Sequence, residues 1–295
     1  MIHVLHLLDS EADFQTRYCA NMVARKLAPA FHFTQLTVGR GGDLPRRLNA
    51  IRLLNRSDKQ FDILHAWGSK ALGIAGLGWS RGLVHTPAPE CDKAIPHGGY
   101  IRVVRAAPGV EYKAGVNLRQ QLGFTASDFV VLAPGESTEA AAHDLALWSV
   151  LLCHELDESF KLLIWGRGNQ SAKVTRFASA LRRGRALCVA ETALGKQVEF
   201  DSIVSSADLA LLTARPNAAA LGPALCMAAG LPAIRLTTPT PRAAAQQILE
   251  MRNQPKLLEE ARRASLQAAA ERYSVEKFLE TYRSAYTSKF LTSNA

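Results

Sequence analysis

Short apolar runs alternate with amphipathic stretches along most of this chain, and the alternation starts again near its middle. The first series places strands at Ile2–Leu8, His32–Val38, Asp62–Ala66, Gly82–His85 and Tyr100–Val104. A second series follows a linker helix, with strands at Phe129–Ala133, Leu162–Gly166, Ala186–Val189, Leu209–Thr213 and Pro232–Leu236, and helices near 138–155, 170–183, 197–206 and 217–229. Strands separated by helical stretches are the pattern of βα units around a parallel sheet. Restarting that pattern implies two doubly wound α/β domains with a boundary near residue 110. The tail from Gln254 to about Ser288 reads as two further helices, the second capped by Ser274, that pack back over the first domain.

A chain of 295 residues, 48% hydrophobic and 21% charged, has enough apolar surface for two modest cores. Its five cysteines, Cys19, Cys91, Cys153, Cys188 and Cys226, are scattered and form no C-x-x-C pair. Neither a disulfide framework nor a zinc ribbon is implied, and a reducing cytoplasm fits best. No apolar stretch has the length of a membrane span, and the opening MIHVLHLLDS lacks a basic leader region.

The net charge of +9 is uneven, with residues 1–122 holding 16 Lys and Arg against 9 Asp and Glu. The densest run is LPRRLNAIRLLNRSDKQ, where Leu44, Leu48, Ile51 and Leu54 share a helical face and Arg46, Arg47, Arg52 and Arg56 lie off it. A solvated basic face on a core helix is the first reading. Peripheral contact with anionic lipid or acidic glycan is the second. No nucleic-acid motif is present.

In open α/β sheets, ligands bind beyond the carboxyl ends of the strands, where helix N-termini present free N–H groups. Two stretches stand at such places: GRGN, comprising Gly166, Arg167, Gly168 and Asn169, and ARPNAAALGPALCMAAGLPAI from Ala214 to Ile234. The first is a tight turn. The second is a glycine-punctuated helix that starts near Asn217 or Ala218 and stops at Gly230. No G-x-G-x-x-G follows the first strand, which argues against a dinucleotide oxidoreductase.

The order of FDILHAWG, GVEYKAGVNLRQQLGFTASDFVVLAPGESTEAAAHDLAL, FKLLIWGRGN, VSSADLALLTARPNAAALGPALCMAAGLPAI and RYSVEKFLETYRSAY resembles the GT-B retaining glycosyltransferases of family 4. That resemblance implies two Rossmann-like domains facing across a cleft, with C-terminal helices crossing back. Residues 1–110 would form a shortened acceptor-side domain, 111–272 the nucleotide-sugar domain and 273–295 the crossover helix. It implies a nucleotide-sugar donor, a glycan or lipid-linked acceptor, no metal and no other cofactor. The donor would meet Gly135, Glu136, Gly166, Arg167, Gly168, Arg215, Asn217, Ala218 and Leu225, and the catalytic candidates are His65, His85 and Asn217.

The chain departs from the family at the positions that grip the donor. The family helix carries two glutamates eight residues apart, and Asn217 and Leu225 stand there instead. The two cations that hold the diphosphate are replaced by Glu136 and Ala141, although Gly135, His143 and Asp144 remain. Losing two charge-assisted bonds and a ribose acceptor removes about 4–8 kcal/mol of donor binding. Arg167 and Arg215 offset part of that loss. Two readings stay open: a divergent retaining glycosyltransferase, and a non-catalytic GT-B-like domain that binds a glycan or protein.

Two other groupings point to structure. His85, Cys91 and His97 are interrupted by Pro87 and Pro89 and lack a fourth ligand, so an ordinary loop is expected. Cys153 and His154 are adjacent at a helix end and do not face each other, so they are read as a core thiol and a dipole partner.

Overall fold

The computed structural model describes residues 1–10, 12–38, 60–79, 83–88, 101–166, 168–181, 183–195, 198–213, 215, 219–236 and 240–288. The chain divides into two units, Met1–Gly109 with Val275–Ala295, and Val110–Ser274. The basic run at 44–56, and Cys91 and His97, lie outside the described residues.

The first unit is a parallel five-stranded sheet in the order β2-β1-β3-β4-β5. Its strands are β1 (Ile2–Asp9), β2 (Phe31–Val38), β3 (Ile63–Trp67), β4 (Leu83–Thr86) and β5 (Ile101–Val103). Side chains of β1 alternate between two cores: Val4 and Leu8 pack on one face, Leu5 and Leu7 on the other. Burial on both faces is why the strand reads as a continuous apolar run. Helix α1 (Phe14–Leu27) covers the first face, and Asp13 caps it by accepting the Thr16 N–H at 2.9 Å. Helix α2 (Ser69–Gly78) covers the second through Ala71, Ile74 and Ala75.

The second unit is also a parallel five-stranded sheet, ordered β10-β9-β6-β7-β8. The strands are β6 (Phe129–Glu136), β7 (Phe160–Gly166), β8 (Leu187–Val189), β9 (Leu209–Leu212) and β10 (Ala233–Arg235). Between them run α3 (His143–His154), α4 (Ser171–Ala180), α5 (Ala190–Leu194), α6 (Phe200–Val204) and α7 (Leu221–Ala228). Helix α8 (Pro241–Asn253) packs on α3 through Ala244, Ala245 and Ile248, and α9 (Pro255–Arg272) packs on α7.

Only one of the two tail helices joins the first unit. Helix α10 (Val275–Thr287) lays Phe278, Tyr282, Ala285 and Tyr286 into the core shared by β1, β3 and α1, whereas α9 stays with the second unit. Gly109 is required for this seating, because a Cβ there would stand 2.9 Å from that of Phe278.

The expected linker helix is absent. Residues 104–117 are irregular and turns follow, because serine hydroxyls claim the backbone first. Ser205 Oγ accepts from Gly115 N at 3.2 Å, Ser202 Oγ from Val116 N at 3.2 Å and Ser206 Oγ from Leu118 N at 2.7 Å. A Cβ on Gly115 would sit 2.3 Å from Ser202 N, so the segment lies directly against the backbone of α6.

Candidate functional site

Strands β6, β7 and β9 end side by side, and three glycines let the backbones beyond them touch. Gly135 has φ +101°, a conformation open to glycine and strained for other residues. Gly222, in the first turn of α7, would place a Cβ 2.9 Å from Gly135 N. Gly168, after β7, would place one 2.2 Å from the Ser137 carbonyl oxygen. Hydrogen bonds fix the same contacts. Gln170 N donates to Ser137 O at 2.9 Å, Arg215 N to Ala140 O at 2.8 Å, and Thr213 Oγ1 to Ala141 O at 2.8 Å. The result is a cradle of main chain at the carboxyl edge of the sheet.

The side chains around it carry mixed charge. Glu136 pairs with Gly166 in the β6–β7 register, and a Cβ on Gly166 would lie 3.7 Å from Glu136 Cγ and 4.0 Å from Glu191 Oε2. Two carboxylates therefore border this glycine. Arg215 is 61% exposed and lies 3.6 Å from Glu139, and Lys173 is 64% exposed and lies 3.8 Å from Asp144. These four charged groups line a cavity of about 340 Å³, together with His143 and Gln170.

Among the residues singled out from sequence, Gly135, Glu136, Gly166, Gly168 and Arg215 converge on this edge. Leu225 is buried within α7 and presents only hydrocarbon. Arg167, Asn217 and Ala218 lie outside the described residues. His143 and Lys173 line the same cavity without standing out as site candidates in the sequence. The His143-Asp144 pair reads from sequence only as part of a motif, and Lys173 reads as any exposed helix lysine.

The two catalytic histidine candidates sit in the first unit, inside its core. His65 Nδ1 lies 2.6 Å from the Tyr286 hydroxyl and Nε2 lies 2.9 Å from Thr86 Oγ1, which uses both nitrogens internally. The Tyr286 hydroxyl also reaches His6 Nε2 at 3.2 Å. His85 is buried too, and its Nδ1–H donates to the Ala66 carbonyl at 3.0 Å. Burial holds all three rings neutral, pushing His6 down to about 3, His65 well below its ordinary value and His85 in the same direction. Trp67 stacks on His65 with ring centroids 4.1 Å apart. This constellation anchors α10 to the sheet, and neither His65 nor His85 reaches solvent to meet an acceptor.

Cys153 is a buried core thiol, and His154 donates its Nδ1–H to the Phe160 carbonyl at 3.0 Å. Among the described residues, no group of three or more His, Cys, Asp or Glu side chains is placed to hold a metal. No helix among them is long and apolar enough to cross a membrane.

Two parallel sheets of five strands, with a C-terminal helix returned to the first unit, match solved structures over nearly their whole length. HepE from Anabaena, solved with UDP and glucose, superposes with a TM-score of 0.74 at 13% identity, covering 97% of this chain and 99% of that one. The chain has the GT-B fold. A glycosyltransferase from Rickettsia africae gives a TM-score of 0.66 at 12% identity, with 100% and 99% covered. A candidate UDP-N-acetylglucosamine 2-epimerase from Listeria monocytogenes gives 0.58 at 12% identity, with 98% and 96% covered. No family model and no curated protein matches the chain.

Proposed function

We propose that the protein is a retaining glycosyltransferase that takes its sugar from a nucleotide-sugar donor held on the second unit. The observation that carries this reading is the main-chain cradle at Gly135, Gly168 and Gly222, built at the place where an α/β sheet offers backbone N–H groups to an anion. A structural neighbour is described as complexed with UDP and glucose, and the Listeria neighbour is named for a UDP-sugar substrate. Retaining transfer needs the departing diphosphate stabilised, since electrostatic stabilisation usually lowers the barrier more than any other effect in such catalysis. Arg215, exposed beside the cradle, supplies a cation for it, and Arg167, Asn217 and Ala218 are the further donor-site candidates by their sequence positions after β7 and β9. The first unit takes the acceptor, a glycan or a lipid-linked sugar, and its basic surplus favours an anionic one or a peripheral seat on an anionic membrane.

The lining of the cradle favours the second reading, a non-catalytic domain that binds a glycan or a protein partner. Glu136 and Glu191 border Gly166 where a donor diphosphate needs cations, and the buried Leu225 has no acceptor for a ribose hydroxyl. Incubation with UDP-, GDP- and ADP-hexoses, followed by chromatography for released nucleotide diphosphate and NMR of the sugar anomer, separates the two. Release of one diphosphate with the anomeric configuration kept supports the transferase. No release from any donor above the background without protein, across glycan and lipid-linked acceptors, supports the binding domain.

A further inference from the structure

Helix α3 is apolar on every side. From Leu145 to Cys153 it reads LALWSVLLC, in which Ser149 is the one polar residue. Ala146, Leu147, Val150, Leu151 and Cys153 fill the side that packs in the core of the second unit. Trp148 and Leu152 stand on the other side, with Trp148 45% exposed, and Leu156, four residues beyond Leu152, is 73% exposed. A helix at the surface of a folded chain turns polar residues outward, and one that is apolar all round is ordinarily covered all round. The neighbouring helix α4 extends the same surface. Phe177 lies against Trp148 with ring centroids 4.9 Å apart, and Leu181, one turn further on, is exposed. Single apolar side chains are common on protein surfaces, whereas a contiguous patch of this kind marks a docking face.

Charge is divided by sign on the two sides of the patch. Residues 143–158, α3 and the turn after it, carry Asp144, Glu155, Asp157 and Glu158 and no Lys or Arg. Residues 159–190, which include α4, carry seven Lys and Arg and no Asp or Glu. The two signs meet at both ends of the patch. Lys173 lies 3.8 Å from Asp144, and Arg183 donates from Nε and Nη2 to Glu155 at 2.7 and 2.9 Å. Each of these cations is therefore level with its carboxylate across the seam between the helices. Arg176 and Arg185, also on the basic side, have no carboxylate partner among the described residues.

We propose that this face is a homodimer interface, closed by a two-fold axis that runs along the seam between α3 and α4. That rotation lays α3 of one copy on α4 of the other, so apolar patch meets apolar patch and the acidic side meets the basic side. Because Lys173 is level with Asp144 and Arg183 with Glu155 within one chain, the same cations come level with Asp144 and Glu155 of the second copy. An axis set across the helices would instead place α3 on α3 and acid on acid. An anionic membrane is repelled by the acidic side, which makes a second copy the better occupant. Asp144 and Lys173 also line the cavity beside the cradle, so one end of the interface borders the candidate site. The interface holds whether or not that site takes a nucleotide sugar.

Sedimentation velocity on the full chain over a concentration series tests this. The chain is expected to dimerise in the micromolar range, and Trp148→Glu and Leu156→Glu each to weaken the dimer about thirtyfold or more, with the far-UV circular dichroism unchanged. Glu155→Arg and Arg183→Glu are each expected to weaken it too, and an equimolar mixture of these two variants to recover it as a heterodimer, because each then meets its complement across the axis. Misfolding does not mimic that recovery. A chain that stays monomeric throughout the series overturns the proposal, as does a dimer that survives both apolar variants. Charge variants that dimerise as the unaltered chain does, or a mixture that recovers nothing, overturn the two-fold arrangement. A monomer that binds phosphatidylcholine–phosphatidylglycerol vesicles, and loses them in Trp148→Glu, assigns the face to a membrane and overturns the dimer.

Discussion

Gly168 presses against Ser137 so closely that a Cβ on the glycine would stand 2.2 Å from the Ser137 carbonyl oxygen and 2.8 Å from its nitrogen. Backbone on backbone cannot yield as a flexible side chain does, so Gly168→Ala must part the two loops. Overpacking of this kind costs about 1–3 kcal/mol. Gly166→Ala, whose nearest neighbour is a side-chain carbon at 3.7 Å, is the control. Urea unfolding is expected to show the loss for Gly168→Ala alone, and donor titration to show binding lost with it. Equal stability of the two variants would contradict the cradle.

Ala142 is the one described residue other than glycine with positive φ, at 52°, ψ 44°. It adopts this conformation because the Thr213 and Arg215 bonds to the carbonyls of Ala141 and Ala140 fix the chain just before α3. An alanine in the left-handed region is strained by about 1–2 kcal/mol, of which glycine's extra chain entropy returns part. Ala142→Gly is expected to raise stability by about 0.5–1 kcal/mol, read as a higher urea midpoint at constant m value. A lower midpoint would mean that the strain is not there.

The Tyr286 hydroxyl serves two imidazoles, His65 and His6, from the far end of the chain. Tyr286→Phe keeps the ring and removes the hydroxyl, leaving a nitrogen on each histidine unpaired in the core. At about 1–3 kcal/mol for each of the two unsatisfied groups, a loss of roughly 2–6 kcal/mol is expected. Limited proteolysis should then cut α10 faster than α9. A loss below about 0.5 kcal/mol in chemical denaturation would show that the network contributes nothing to stability.

The same cluster sets a pH dependence. His6, His65 and His85 are neutral when folded and titrate below their ordinary 6.5, His6 near 3. Between 6.5 and the folded values the unfolded chain binds more protons, so their contribution is intact above pH 6.5 and lost as pH falls below it. Each histidine contributes a slope of up to about 1.4 kcal/mol per pH unit. Denaturant unfolding at pH 7.5, 6.5 and 5.5 is expected to show little change over the first step and a steep fall over the second. A His6→Phe variant should flatten that fall. A flat profile from 7.5 to 5.5 would contradict it.

Strand positions were legible because both sheets are parallel and covered on both faces, which writes each strand as an unbroken apolar run. Expected His32–Val38 and Leu209–Thr213 became Phe31–Val38 and Leu209–Leu212. Helix starts were less legible where tertiary bonds overrule propensity. Residues 138–142, rich in alanine, were expected to be helical, yet their carbonyls are taken by Thr213 and Arg215, and α3 begins only at His143. The linker helix failed for the same reason, with serine hydroxyls as the competitors. Of the cradle glycines, Gly168 was readable from its place after a strand and Gly135 from the family resemblance, whereas Gly222 shows itself only through its contact with Gly135. The role of His65 was not readable, because Tyr286 reaches it from 221 residues away, and neither was the cavity lined by His143, Lys173 and Arg215, which come from α3, α4 and the loop after β9.

The proposed donor site on the second unit is built chiefly of main chain. Isothermal titration of the full chain with UDP-, GDP- and ADP-sugars at low salt tests it most directly. At least one is expected to bind with Kd in the micromolar range, about −8 kcal/mol, and to lose that binding in Gly168→Ala. If no nucleotide sugar binds tighter than about millimolar, near −4 kcal/mol, the cradle holds no donor and the transferase reading fails.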